Sequence, residues 1–171
     1  MNLVTTAFLS YLASQATTTS PKPSCLNESG EPVRFMITGE YFVDHSSEGW
    51  TVSVDDKGFM VVRTSEGTRR LGARKSVVAA LRAEVRTQDL WSLPRDVPGA
   101  GVMYRRIELC SVGRTHAVTH FYRPAGTPIT EQDIRFIRVF VKLRRLFVSK
   151  SAADVQGEEE YLQKLGAPTE K

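Results

Sequence analysis

The sequence predicts an α+β domain: an antiparallel sheet of four to five strands with two helices packed on one face, in the order β-β-β-α-β-β-α. Three observations lead there. Apolar residues recur at period two in two blocks, residues 34–63 and 104–123. They recur at period 3.6 in two others, residues 76–90 and 130–147. Each helical block has a single apolar face, so both helices are expected on the same side of the sheet.

Composition fits one domain with extensions. The chain has 171 residues, 41% of them hydrophobic and 25% charged, which is enough to bury a core. A formal charge of +4 permits an anionic partner without requiring one. Two cysteines, Cys25 and Cys110, are too few for a disulfide framework or a structural zinc cluster and offer either one bridge or two free thiols. Residues 1–33 read as an N-terminal arm and linker, 34–150 as the domain and 151–171 as a polar tail. Within the arm, residues 1–20 carry no charged side chain and hold a weak apolar run from Leu3 to Ala13, with Ser14 and Ala16 spaced as in a cleavage site. The positive n-region of a leader is missing and the run is too short to span a bilayer, so a retained arm is expected and a cytoplasmic location is slightly favoured over a secreted or periplasmic one. Pro21, Pro23 and Pro32 mark residues 17–32 as linker.

The first strand is RFMITGEYFV, where Phe35, Ile37, Tyr41 and Val43 alternate with Arg34, Thr38 and Glu40. Trp50, Val52 and Val54 repeat the signal, and the turn DDKG at 55–58 leads into Phe59–Arg63 as a hairpin. A second polar turn, SEGT at 65–68, precedes a short segment around Leu71 whose arginines suit only an edge strand. Ser76 is the expected cap of a helix running to Leu90, with Val77, Val78, Leu81 and Val85 as its stripe. Trp91 and Leu93 cover its end, and Pro94, Pro98, Gly99 and Gly101 form a loop.

The stretch YRRIELCSVGRTHAVTHFYRP holds Cys110, His116 and His120 within eleven positions and raises the question of a metal or catalytic site. A two-residue turn centred on Gly113 and Arg114 would pair Ser111 with His116 and Ile107 with His120. His116 and His120 then stand about 13 Å apart on one strand at ~3.3 Å per residue, with Cys110 on the opposite face. No single ion reaches all three, and a thiol and an imidazole on opposite faces cannot share a proton. The histidines read as sheet or hydrogen-bonded core positions, and Cys110 as a small packing residue.

The last helix has the strongest signal. Thr130 with Asp133 three residues on makes an acidic capping box, and Glu131 precedes Arg135 by four. Phe136, Ile137, Phe140, Leu143 and Phe147 form a broad apolar face, opposed by Arg135, Arg138, Lys142 and Arg145. Val139 and Leu146 fall near that basic side, so a second surface, such as another subunit or the N-terminal arm, is expected over the flank. Arg135, Arg138, Val139, Lys142, Arg145 and Leu146 are therefore the candidate partner-binding residues. Arg144 lies beside the apolar face and must snorkel or find an acidic partner. In the tail, GEEEYLQKL permits a short helix.

The sequence has no phosphate-cradling glycine loop, nucleophile elbow, HExxH or CxxC, and the pair Asp55-Asp56 reads as solvated turn charge. No catalytic, cofactor or metal residue is assigned, and a non-enzymatic protein-binding module is the expectation. A domain that binds nucleic acid or another polyanion through the basic face of the last helix is the alternative. The element order, the step Leu90-Trp91-Ser92-Leu93-Pro94 and the entry PITEQDI into the last helix resemble the small emfourin-like domains over residues 34–148. That family includes a protein inhibitor of thermolysin-like metalloproteases, so the resemblance implies a non-enzymatic binding domain; the missing site and the apolar flank of the last helix suit either an inhibitor-like domain or an accessory subunit of an assembly. An Arg-Ser-Gly-Gly-like opening of the first strand is missing here, and both terminal extensions are additional.

Overall fold

A computed structural model describes residues 25–43, 49–97, 103–121 and 127–147. The expectations for the arm up to Ser24, the loop 98–102 and the tail from residue 148 lie outside the described residues. The elements run β1 (Cys25–Leu26), β2 (Pro32–Val33), β3 (Phe35–Val43), β4 (Trp50–Asp55), β5 (Phe59–Thr64), β6 (Gly67–Gly72), α1 (Lys75–Thr87), a 3-10 turn at Leu90–Ser92, β7 (Asp96–Val97), β8 (Met103–Ser111), β9 (Arg114–Phe121) and α2 (Glu131–Arg144). The class is α+β, with an antiparallel sheet and two helices.

The sheet has the strand order β6-β5-β4-β3-β8-β9-β7. Six strands are antiparallel rather than the expected four to five, and the two-residue β7 adds a parallel pairing to β9. The difference arises at Leu71, whose segment pairs with β5 along its whole length although all six of its residues are exposed. Backbone bonding holds it there without a buried face, which is why hydropathy alone understates it.

One face of the sheet carries the core. Phe35, Ile37, Val52, Val54, Met60, Val62, Ile107, Leu109 and Val118 form a single buried cluster with Val78, Leu81 and Val85 of α1 and Phe136, Ile137, Val139, Phe140, Val141 and Leu143 of α2. Gly39 lets α2 settle onto β3, since a Cβ there would stand 3.0 Å from the Leu143 Cδ1 atom. At the open end of this layer the Trp50 ring lies 5.0 Å from Phe140 and 4.9 Å from Phe147.

Three local expectations are corrected. The β8–β9 turn centres on Val112 and Gly113, both at positive φ (45° and 75°), so Ser111 pairs with Arg114, Leu109 with His116 and Ile107 with Val118. This two-residue slip preserves every face, so the apolar pattern could not detect it, and a β-branched residue at positive φ is one that sequence reading avoids. Ser76 does not cap α1: Arg74 occupies the N-cap position with no side-chain bond, because Ala73 is fixed by its N–H to the Gly58 carbonyl (2.7 Å). Asp55 is not a solvated turn charge. It is 1% exposed, accepts from the N–H groups of Lys57 and Phe59 (both 2.9 Å), and takes the Asn27 amide on its other oxygen (3.0 Å).

Residues 25–33, read as linker, form a two-stranded ribbon on the back of the sheet. Cys25 is disulfide-bonded to Cys110, so Cys110 is more than a packing residue. Val33 and Met36 pack around the bridge. Asn27 holds the ribbon's turn, accepting from the N–H groups of Ser29 and Glu31, while Glu28 pairs with Arg63 and Glu31 with Lys57 (2.8 Å). The Arg63 guanidinium holds the Glu28 carboxyl below its usual range.

Candidate functional site

The flank of α2 is an internal seam. Arg135 donates from Nε to the Gln88 carbonyl (2.6 Å) and from Nη2 to the Asp89 carbonyl (2.6 Å) and Ser92 Oγ (2.9 Å), closing the C-terminal end of α1. Lys142 pairs with Glu84 of α1. Val139 is fully buried and Leu146 is half-buried against the core. The second surface expected over this flank is thus α1. Of the six candidate residues, Arg138 is half-buried and Arg145 exposed.

His120 and Asp133 form a buried pair, 3% and 2% exposed, with His120 Nε2 2.8 Å from Asp133 Oδ1. Asp133 Oδ2 accepts from the Thr130 N–H and hydroxyl (2.7 Å each), which completes the expected capping box. Burial raises the cost of ionising Asp133, but the Thr130 bonds and His120 outweigh it and hold the carboxyl below its ordinary 3.8. The His120 ring is stacked on Phe136 at 5.4 Å. An imidazole enclosed in this way ties β9 to the start of α2 and has no open side for a substrate. His116 faces Trp91 (5.8 Å), and Cys110 stands on the other face of the sheet, as expected. Among the described residues, no group of three or more His, Cys, Asp or Glu could hold a metal ion.

The back of the sheet has two ends. The ribbon covers the end around Met36 and Cys110. At the other, Phe42, Tyr104 and Phe121 stand side by side across β3, β8 and β9, because Phe42 is paired with Tyr104 and Tyr104 with Phe121. Phe42 is 41% exposed and the other two are half-buried. Phe42 stacks on Tyr104 at 5.1 Å, and Phe121 meets Tyr104 edge-on at 6.2 Å. The next cross-strand row is Glu40, Arg106 and Thr119, with the Tyr104 hydroxyl donating to Glu40 (3.2 Å). Burial and the Glu40 carboxylate raise the Tyr104 pKa, so the phenol stays neutral and remains a donor. An aromatic centre beside a polar row is the anatomy of a protein-binding patch. The signal in the sequence was Phe42, which together with Met36 breaks the apolar alternation of the first strand; Tyr104 and Phe121 carried none.

A cleft of about 180 Å³ opens at the edge of β9, lined by Arg95, Arg106, Glu108, Thr115, His116 and Ala117. No helix among the described residues is long and apolar enough to cross a membrane. No family model matches this chain, and no curated protein matches it.

Proposed function

We propose that the chain is a non-enzymatic protein-binding module that engages its partner through the aromatic row Phe42, Tyr104 and Phe121. The observation carrying this reading is that three rings stand in adjacent register positions on the back of the sheet, at the end away from the ribbon, with Phe42 exposed among the described residues. Rings placed so give large contact area at low entropic cost, and truncating such anchors typically costs more than 2 kcal/mol of binding. Inhibition of a protease, which the emfourin-like resemblance suggests, is one form such binding could take; an accessory role in an assembly is another. The Cys25–Cys110 bridge supports a working place in an oxidising compartment, against the slight sequence preference for the cytoplasm.

The polyanion reading has less support, because Arg135 and Lys142 are spent on α1. Quantitative co-purification separates the two. Partner recovery should fall at least tenfold in the double variant Phe42→Ala, Tyr104→Ala and persist when Arg138 and Arg145 are changed to Gln. Recovery that survives the alanines but collapses between ~50 and ~200 mM salt would overturn the proposal in favour of the polyanion.

A further inference from the structure

Among the described residues, the outer edge of β9 is paired only at Thr119 and His120, where β7 runs beside it, and the first half of that edge borders a cleft lined by Arg95 and Arg106. Thr119 donates its N–H outward to the Arg95 carbonyl (3.0 Å), where β7 runs beside it. By the two-residue period of a strand, the N–H groups of Ala117 and Thr115 point the same way, beyond the reach of the short β7. The outward N–H of Ala117 therefore opens on the cleft that Arg95 and Arg106 line.

Two arginines and one glutamate line that cleft. Glu108 touches Arg106 only through Nη2, at a long 3.4 Å, and Arg106 Nε has no hydrogen-bond partner although it is shielded from solvent. A guanidinium presents Nε and Nη2 as a fork suited to two oxygens of one planar or tetrahedral anion. Glu108 thus occupies one tine of that fork poorly and leaves the other unused.

We infer that this cleft binds a small oxyanion, a phosphate or a carboxylate, held by Arg106 and Arg95 with the Ala117 N–H as third donor, and that Glu108 is the group it displaces. The site borders the aromatic patch through Arg106, but it takes its ligand without a protein partner.

The test titrates the full chain with inorganic phosphate, and separately with acetate, at ionic strength held constant with chloride, following the Ala117 amide and Arg106 Nε–H resonances. Saturable shifts are expected. Arg106→Gln should weaken binding at least tenfold, Arg138→Gln should leave it unchanged, and Glu108→Gln should tighten it several-fold. Tightening is a result that loss of a structural contact would not give. Should Arg106→Gln fail to fold, Arg95→Gln gives the same comparison, since its side chain is exposed. Saturation by phosphate alone identifies a phosphoryl source, and saturation by both ions a carboxylate-tolerant one. Shifts that chloride reproduces, or a site that Glu108→Gln weakens, would overturn the inference.

Discussion

Asp133 shows how much one side chain can carry. It caps α2, receives the Thr130 hydroxyl and fixes His120 on β9. Because its carboxyl ionises below 3.8 in the folded chain, its contribution is fully present above that value and is lost as pH falls through the lowered one. Thermal melts from pH 7 to pH 2 should show stability falling below about pH 4. Asp133→Asn should lower the plateau and flatten that acid limb; a variant with an undiminished limb would assign it elsewhere. Arg135 and Arg138 make the second comparison at this scale. Arg135→Ala removes charge-assisted bonds to the end of α1 and should cost about 1.5–3 kcal/mol, whereas Arg138→Ala should change stability by less than about 0.5 kcal/mol in denaturant titration. The capping box was legible because Thr130 and Asp133 are three residues apart. The Arg135 contacts were not, since their partners are 43 to 47 residues away and two are backbone carbonyls that no side-chain pattern announces. Asp55 escaped for a similar reason: its burial depends on Asn27 in another element.

Among the elements, α2 was the most legible and the ribbon β1–β2 the least. A long stripe at period 3.6 identified α2 without any tertiary information, and its five expected core residues all lie in or against the core. The ribbon contributes only two residues per strand, too few for any period, and its anchor is a cysteine 85 positions distant. Its linker-like prolines were a misleading signal, since Pro32 sits in an outer two-stranded ribbon where a missing N–H costs little. The bridge closes a long loop, so replacing both cysteines with Ser should cost about 2–5 kcal/mol. The midpoint of denaturation with and without reductant measures it; an unchanged midpoint would show that the ion pairs and Asn27 alone hold the ribbon.

For the whole molecule, the antiparallel sheet and the two helices were readable, because each follows from alternation or helical spacing, whereas the expected order β-β-β-α-β-β-α matched only roughly, since β6 stands as a full strand before α1. The placement of the proposed binding surface was not, because bringing Phe42, Tyr104 and Phe121 side by side depends on the register of β3, β8 and β9. The core itself depends on Phe140, 3% exposed and 5.8 Å from Phe136. Phe140→Ala should cost about 3–5 kcal/mol, enough to leave a marginal domain largely unfolded, and a denaturant titration would reveal a wrong helix orientation if the loss were below that of Arg138→Ala. Partner binding through the aromatic row is tested most directly by photocrosslinking in the source cells, with p-benzoylphenylalanine in place of Phe42 and, separately, of Arg138. A discrete protein adduct from position 42 and none from position 138 is the predicted result. Adducts from position 138 alone, with none from position 42, would contradict the account and return the binding surface to α2.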